Sequence, residues 1–303
     1  MMRFFKKKFV FAAVITLLLL AADTFVLLKA FVLPDVQVVA VAEETETSAT
    51  AESTAATTTT EPKITASSYE DDHINISIDT QVVYDTTVYV VDVQVSDPSY
   101  LKTALAQNTF GRNIKEATST IAEEQDAILA INGDFYGFRD TGYVLRNGTL
   151  YRDTSGDAQD LVIDSNGDFS IVEEGEVSAD ELAANGAQQV LSFGPALVED
   201  GEIVVGTEDE VGQSMTSNPR TAIGQISENH YVLIVSDGRT DESAGLSLYQ
   251  LAEVFAEQGA QTAYNLDGGG SSTLYFNGQV INTPVGGRGS GERSVSDILY
   301  FGY

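Results

Sequence analysis

Hydrophobic and polar positions fall in short blocks along most of the chain, a pattern that predicts a domain built mainly of strands. Apolar or β-branched runs bounded by turn residues are typical of strands, and they occur at 82–84, 88–95, 127–131, 189–193, 231–235, 261–266 and 298–301. Asn-Gly pairs separate apolar stretches at 147–148, 166–167 and 277–278. Because Asn-Gly suits a tight hairpin turn, we expect a hairpin at each pair.

Helical periodicity is clear in one segment, 247–258. Ser247 is suited to cap the helix, with Gln250 three residues later and Gly259 just beyond its end. Weaker helical patterns occur at 99–106, 113–125 and 178–185. Strands without regular alternation with helices indicate an α+β fold, a mixed, strand-rich sheet domain with a few packed helices.

The N-terminus predicts a membrane segment. A basic head, Lys6-Lys7-Lys8, precedes apolar residues that extend with few interruptions to Leu33, which is typical of a signal anchor or transmembrane helix with its basic end in the cytoplasm. The remainder is then extracellular and tethered to the cell membrane by a single pass. Cleavage near Ala42 would instead give a secreted protein, but that site lies far beyond the first apolar block.

Three regions follow from this pattern: a basic head and membrane anchor at 1–33, a flexible stalk at 34–65, and a folded domain at 66–303. The stalk prediction rests on the Thr, Ala, Ser and Glu content of 43–62, which offers no periodic apolar face.

Charge and composition exclude several classes of protein. The chain has 45 acidic and 16 basic residues and a formal net charge of −29, which excludes a nucleic-acid binder because such proteins need basic surface. It has no cysteine and only two histidines, His73 and His230. Thiolate sites and multi-histidine zinc sites are therefore excluded.

The most unusual segment is the glycine-rich stretch 265–273, between two predicted strands. It contains Asn265, Asp267, three consecutive glycines (Gly268, Gly269 and Gly270), Ser271, Ser272 and Thr273. Successive backbone N–H groups in such a loop can form a nest that binds an anion, and Asp267 stands directly beside it. The alternative is a tight structural turn.

Two further groups of residues carry candidate chemistry. Asn132 and Asp134, followed by two aromatic residues at the end of an apolar strand, suit a sugar site; the alternative is a turn with core aromatics. Three arginines are notable in so acidic a domain and could hold a phosphate, although each could equally pair with a carboxylate. They are Arg220 (beside Thr221), Arg239 (beside Asp237) and Arg293.

Taken together, segments 132–136, 218–224, 236–239 and 265–273, in this order, resemble the phosphodiester glycosidase family over about 80–303. The resemblance implies hydrolysis of a sugar-1-phosphodiester between the anomeric carbon and the phosphate. A phosphodiester is a good leaving group, so the main need is a carboxylate at the anomeric centre.

On this resemblance, Asp267 or Asp134 supplies that carboxylate, and Asp237 is a third candidate. The arginines Arg220, Arg239 and Arg293 hold the phosphate with the 268–271 nest, and Asn132 and Asn265 orient the sugar; Thr221 and Ser272 complete the predicted site.

The expected partners are a carbohydrate phosphodiester, in cell-wall or exopolysaccharide glycopolymers, and the membrane. No cofactor is expected to be required. Two alternatives remain open: a metal-dependent phosphodiesterase that uses the same aspartates to bind Ca²⁺ or Mg²⁺, and a non-catalytic glycopolymer-binding protein.

Overall fold

The structure of the chain is a computed structural model that describes residues 2–37, 61–210, 217–286 and 291–303. Its helices are α1 Met2–Phe31, α2 Thr118–Glu124, α3 Ala179–Ala184 and α4 Leu248–Glu257. In chain order its strands are β1 Asp35–Val36, β2 Lys63–Ile64, β3 Ser68–Glu70, β4 Ile74–Val83, β5 Thr86–Val95, β6 Leu101–Leu105, β7 Gly111–Arg112, β8 Leu129–Asn132, β9 Val144–Arg146, β10 Thr149–Arg152, β11 Gln159–Asp164, β12 Phe169–Glu173, β13 Ala187–Ser192, β14 Ala196–Glu199, β15 Glu202–Ile203, β16 Arg220–Ser227, β17 His230–Ser236, β18 Thr262–Asn265, β19 Leu274–Phe276, β20 Gln279–Val280 and β21 Asp297–Phe301.

The strands form one large antiparallel sheet and two smaller ones, besides the short pair β1–β7. The large sheet has the order β15-β14-β18-β16-β17-β5-β4-β3-β2, and the smaller sheets have the orders β10-β9-β13-β11-β12 and β20-β19-β8-β21-β6. The main core contains buried side chains from all three sheets, such as Leu233, Leu299 and Leu191. The predicted α+β, strand-rich fold is confirmed.

Two helices cover the outer faces of these sheets. Helix α4 packs Leu251 and Phe255 against Val232 and Ile234 of β17, while α2 packs Ile121 over the sheet that contains β8 and β21. Strand β17 is therefore buried on both faces, which explains why it is a continuous apolar run rather than an alternating one.

Most of the predicted elements are confirmed. Asn147, Asn166 and Asn277 lie in the β9–β10, β11–β12 and β19–β20 turns, and α4 begins with the predicted capping box between Ser247 and Gln250.

The helix predicted at 99–106 is wrong. Most of it is strand β6, because pairing with β21 satisfies its backbone groups. The helix predicted at 113–125 is confined to α2. Of the strand predicted at 82–84, Val82 and Val83 end β4, whereas Tyr84 lies in a turn with a positive φ of 52°.

The N-terminal helix contains one segment, Val10–Phe31, that is long and apolar enough to cross a membrane. Both ends of the predicted stalk lie in short strands, β1 at 35–36 and β2 at 63–64. The central part of that prediction, 38–60, lies outside the described residues.

Candidate active site

Strand register brings three of the sequence motifs to one end of the large sheet. Arg220 at the start of β16 pairs with Ser236 at the end of β17. Ala222 pairs with Asn265 at the end of β18. The segments 218–220, 237–239 and 266–272 therefore converge where these antiparallel strands begin or end, although they are far apart in sequence.

Asn132, at the end of β8, joins these segments to the neighbouring sheet. Its Nδ2 donates to the Asp267 carbonyl at 2.5 Å, and its Oδ1 accepts from the Thr221 hydroxyl at 2.9 Å and from Thr273 N at 3.2 Å. The amide is fully buried. Asn132 and Thr221 thus position the segment that carries Asp267, whereas the sequence predicted that they contact substrate.

Two cavities meet at Asp267 and Arg293, which line both of them. The smaller, about 180 Å³, is lined by Phe193, Asn218, Arg220, Arg239, Asp267, Gly268, Gly269 and Arg293. The larger, about 330 Å³, is lined by Lys115, Asp134, Phe135, Phe138, Asp267, Ser271, Arg293, Ser294, Val295 and Ser296. One compartment is therefore rich in guanidinium groups, and the other has aromatic and hydroxyl groups.

Asp267 has the electrostatic character of a reactive carboxylate. Burial raises its pKa from 3.8 to about 6, while the Ser271 hydroxyl and the guanidinium groups of Arg293 and Arg139 oppose the rise and Asp134 adds to it. Near neutral pH the group is ionised, yet it has kept a substantial affinity for a proton. Such a carboxylate can take a proton from water or attack an electrophilic carbon.

The three predicted arginines all reach the smaller cavity, but they are held differently. Arg220 is almost fully buried; its Nε donates to the Leu246 carbonyl at 2.9 Å, and its Nη2 pairs with Glu210 at 3.0 Å. Arg239 donates from both Nε and Nη2 to Asn218 Oδ1, at 3.0 and 2.6 Å.

Arg293 is exposed, and its guanidinium has no hydrogen bond or ion pair with any other residue in the described part of the chain. Among the three arginines it is the one whose donors remain available to an anion.

Two of the four backbone N–H groups in the predicted 268–271 nest, those of Gly269 and Ser271, donate within the fold. Gly269 N donates to the Pro219 carbonyl at 2.7 Å, and the N–H groups of Ser271 and Ser272 donate within the 3₁₀ turn Gly269–Ser271. These donors are already used. The glycines also permit close approach: a Cβ on Gly269 would lie 3.0 Å from Arg239 Nη2, and one on Gly270 would lie 2.5 Å from Arg293 Nη2.

Asp134 belongs to a buried ion-pair cluster in the cavity wall. Its Oδ2 accepts from Arg146 Nη2 at 2.8 Å and from Ser192 N at 3.0 Å, and its Oδ1 accepts from Tyr136 N at 2.9 Å. Arg146 also pairs with Asp297 at 2.7 Å. Because both Asp134 oxygens are engaged and its side chain is fully buried, the geometry gives it a positioning role.

Asp297 shares Arg146 with Asp134, so two buried carboxylates face one cation. Burial raises the pKa of Asp297 to about 7; Arg146 opposes this rise, and Asp134 strengthens it. Its Oδ1 has no hydrogen bond to a described residue and lies against Gly133, where a Cβ would be 2.4 Å away. Gly133, whose carbonyl accepts from Asp267 N at 3.3 Å, therefore makes room for this carboxylate.

Three other predicted residues lie beside the cavities without lining them. Asp237 accepts from Thr283 N at 2.8 Å and from the Tyr89 hydroxyl at 3.4 Å. Asn265 donates to the Gly194 carbonyl at 2.8 Å, and Ser272 is buried. Their contacts support the loops of the site rather than face its interior.

Several site residues escaped the sequence analysis. Arg139 lies 5.1 Å from the Phe193 ring and 5.7 Å from the Phe135 ring, and Lys115 lies 5.5 Å from the Phe138 ring. The scarcity of cations, which drew attention to three arginines, applied equally to Lys115, Arg139 and Arg146. Asn218 was part of a recognised motif, but its role as a support for Arg239 needed the structure.

A third cavity, of about 520 Å³, lies outside this pair, between β6 and the β11–β12 hairpin. None of the predicted site residues lines it. The amides of Asn147 and Gln189 in its wall bond to each other and to Thr103. Convergent charge therefore distinguishes the smaller pair of cavities as the candidate site.

The chain is similar in sequence to known proteins. Residues 125–302 match the phosphodiester glycosidase family. The mouse N-acetylglucosamine-1-phosphodiester alpha-N-acetylglucosaminidase is 29% identical over 213 residues, which cover 63% of this chain and 40% of that protein. An uncharacterised SPbeta prophage-derived protein of Bacillus subtilis, YomE, is 32% identical over 202 residues, 64% of this chain and 31% of the relative. The chain thus spans less than half the length of these curated relatives.

Solved structures show the same fold. The catalytic domain of the zebrafish N-acetylglucosamine-1-phosphodiester alpha-N-acetylglucosaminidase, auto-inhibited by its pro-peptide, superposes with a TM-score of 0.61 at 22% identity, covering 76% of this chain and 83% of that one. A hypothetical protein from Synechocystis gives a TM-score of 0.53 at 16% identity, covering 76% and 62%.

Proposed function

Because the chain belongs to the phosphodiester glycosidase family, we propose that it hydrolyses sugar-1-phosphodiesters, such as diesters of N-acetylglucosamine 1-phosphate, in cell-wall or exopolysaccharide glycopolymers. The observation that carries the proposal is the position of Asp267. It lies where a cavity lined by arginines meets one lined by aromatic and hydroxyl groups. The anomeric carbon, the atom that joins sugar to phosphate, belongs at this junction.

The two compartments fit the two halves of such a substrate. Guanidinium groups of Arg239 and Arg293 bind phosphate oxygens, which assigns the phosphate to the smaller cavity. The rings of Phe135 and Phe138 stack on each other at 4.6 Å and offer an apolar wall to a sugar ring, while Ser271 and Ser294 offer hydroxyl groups. The sugar therefore occupies the larger cavity.

In the proposed reaction, an oxygen forms a bond to the anomeric carbon as the bond from that carbon to the phosphate oxygen breaks. The electron pair leaves on the phosphate, where Arg293 and Arg239 stabilise it. Asp267 acts either as the base that accepts a proton from the attacking water or as the nucleophile, with water releasing the sugar in a second step. A phosphate leaving group makes a second carboxylic acid dispensable.

The proposed setting is the extracellular face of the membrane. Val10–Phe31 supplies a segment able to span the bilayer, and Lys6-Lys7-Lys8 supplies the cytoplasmic end. We place the enzyme domain at 66–303, which contains every residue of the candidate site.

The decisive experiment identifies the bond that breaks. The purified full-length chain in detergent is incubated with the glycerol diester of N-acetylglucosamine 1-phosphate in ¹⁸O-labelled water. We expect ¹⁸O in the released sugar and a glycerol phosphate without label. Label in the phosphate would show cleavage of a P–O bond and would favour the phosphodiesterase alternative, and binding without turnover would favour a glycopolymer-binding protein.

Metal use is tested in the same assay. We propose that no metal is required. Among the described residues there is no group of three or more histidine, aspartate or glutamate side chains placed to hold a metal ion. Turnover that survives EDTA is expected; turnover that EDTA abolishes and Ca²⁺ or Mg²⁺ restores would contradict the proposal.

A further inference from the structure

The outer end of the apolar helix α1 is joined to the folded domain by specific backbone contacts. Immediately after the helix, β1 pairs antiparallel with β7, with Asp35 opposite Arg112 and Val36 opposite Gly111. Gln37 N donates to the Phe110 carbonyl at 3.1 Å. The segment that leaves the predicted membrane span therefore becomes part of the domain before the chain reaches residue 38.

Asn113 fixes the end of the helix itself. Its side-chain amide donates to the Ala30 carbonyl at 3.3 Å and to the Leu33 carbonyl at 3.2 Å, which satisfies carbonyl groups that a helix end leaves without partners. Asn113 is nearly buried and has a positive φ of 57°, a conformation that asparagine tolerates better than most residues.

Gly111 shows how closely the two parts fit. A Cβ at this position would lie 2.2 Å from the Asp35 carbonyl oxygen. A side chain larger than hydrogen would therefore separate β1 from β7. The junction requires the glycine that the sequence supplies.

The same junction forms part of the wall of the candidate site. Asn113 N donates to the Gly137 carbonyl at 3.1 Å, and Gly137 lies in the 3₁₀ turn Tyr136–Phe138. Phe138 and Lys115 line the 330 Å³ cavity of the candidate site. Since Lys115 is two residues from Asn113, its Cα lies within about 7 Å of the Asn113 Cα, so this wall adjoins the residue that binds the helix end.

Charge on this face is also unlike the rest of the domain. Residues 63–303 contain 11 basic and 38 acidic residues, and two of the basic residues, Arg112 and Lys115, lie at or near the junction. Lys29 of α1 and Asp35 lie beside Arg112. Arg112 contacts Asp140. Basic and acidic side chains are therefore nearly balanced at the junction, whereas the domain as a whole is strongly acidic.

We infer that this junction holds the candidate site at the membrane surface, and that the proposed glycopolymer substrates are cleaved where the sugar-1-phosphate is esterified to an alcohol anchored in the membrane. The inference rests on the proposed function for the chemistry, and on α1 spanning the bilayer for the placement. A site on a long flexible stalk would reach polymers far from the membrane, whereas a docked site takes substrates presented at the level of the lipid headgroups.

Placement can be measured without any turnover. The chain has no cysteine, so single cysteines carry a fluorophore uniquely. Thr141→Cys lies next to Asp140, which contacts Arg112; the matched control, Glu228→Cys, lies in the turn at the far end of β16 and β17. In vesicles with a nitroxide on the lipid headgroup, the label at 141 should be quenched several-fold more than the label at 228. Equal quenching would overturn the placement.

Substrate class is tested with full-length chain in the same vesicles. Two diesters of N-acetylglucosamine 1-phosphate are compared, one with glycerol and one with a dialkylglycerol inserted in the bilayer. We expect at least tenfold faster cleavage of the lipid diester. Gln37→Pro, which removes the backbone donor to the Phe110 carbonyl from the β1 side of the junction, should lose this preference and the quenching at 141 while it keeps wild-type cleavage of the glycerol diester, which shows that its fold is intact.

The outcomes separate the two proposals. If neither diester is cleaved, the proposed function fails, and the quenching still decides the placement. If the glycerol diester is cleaved and the lipid diester is no faster, the assignment of a membrane-anchored substrate is wrong. A preference that survives in Gln37→Pro would show that tethering alone suffices and would overturn the role of the junction.

Discussion

Replacing Asp267 by asparagine should abolish turnover and stabilise the fold. The wild-type carboxylate is held in a site that raises its pKa from 3.8 to about 6. Since each tenfold change in proton affinity is worth about 1.4 kcal/mol, its ionisation at neutral pH costs the native state up to about 3 kcal/mol. We expect the actual cost of this ionisation to be about 1–3 kcal/mol, because the side chain keeps some contact with solvent, which screens the effect. Asparagine has the same shape and no charge, so it removes this cost.

The pH dependence gives the sign of the effect. Between about pH 4 and pH 6 the native state keeps a proton on Asp267 that the unfolded chain has released, so the free energy of unfolding of the wild type falls as pH rises through this window. Above pH 6 the loss is complete. The stability difference between the variant and the wild type should therefore be largest at pH 7.5 and close to zero at pH 4.

The assay is thermal unfolding at both pH values, with turnover of the glycerol diester measured beside it. For a domain of this size, 1–3 kcal/mol corresponds to a rise in Tm of roughly 3–10 °C at pH 7.5. Asp237→Asn is the control, because Asp237 accepts hydrogen bonds from Thr283 N and the Tyr89 hydroxyl; it should not stabilise. An Asp267→Asn variant that is active, or that is stabilised equally at pH 4, would refute the reasoning.

Three further variants and one pH profile test other parts of the site. Gly270→Ala places a Cβ 2.5 Å from Arg293 Nη2 and should lower kcat/KM about 10- to 100-fold, whereas Gly206→Ala, whose Cβ meets only ordinary contacts at 3.5 Å or more, should not. Arg146→Met leaves two buried carboxylates without their cation and should cost about 3–5 kcal/mol in denaturant unfolding, with Arg146→Lys losing less. Asn132→Ala breaks the links between segments and should cost about 2–3 kcal/mol; an equally stable variant would contradict its positioning role. Wild-type kcat/KM should fall as pH drops below about 6, because Asp267 then gains a proton; a profile that is flat from pH 5 to 8 would contradict the catalytic assignment.

The elements that sequence predicted well are those whose signals are local. The capping box of Ser247 and Gln250 and the Asn-Gly turns determine backbone geometry within a few residues, so α4 and three hairpins could be predicted. The segment 99–106 could not, because its state is decided by pairing with β21, almost 200 residues away. A short apolar stretch is compatible with either a helix or a strand until its partner is known.

The residues of the site also fall into two groups, those that residue type alone could identify and those whose roles depend on distant contacts. Residue types identified Asp267, Arg239 and Arg293, which do reach the cavities. Which of the three aspartates faces the interior could not be predicted, because it depends on Arg146, whose side chain engages Asp134 from a different hairpin. The sequence singled out the glycines as an anion nest, and the structure adds a second reason for them: Gly269 and Gly270 lack a Cβ where the guanidinium groups of Arg239 and Arg293 approach.

The acidity of the domain gives this arrangement its physical logic. Residues 63–303 carry 11 basic and 38 acidic residues, so a phosphodiester approaching from a distance meets an unfavourable field. That field is screened within about 8–10 Å at physiological ionic strength. Inside the site, the nearby charged groups determine the pKa of Asp267 and the binding of the phosphate. Arg293 and Arg139 lower the pKa of Asp267, while burial and Asp134 raise it. Without burial and Asp134, the arginines would lower the pKa of Asp267 and make it a weak base. Without the arginines, Asp267 would stay protonated and the phosphate would not be bound. Binding an anion and keeping a basic carboxylate therefore require both sets of groups around one aspartate.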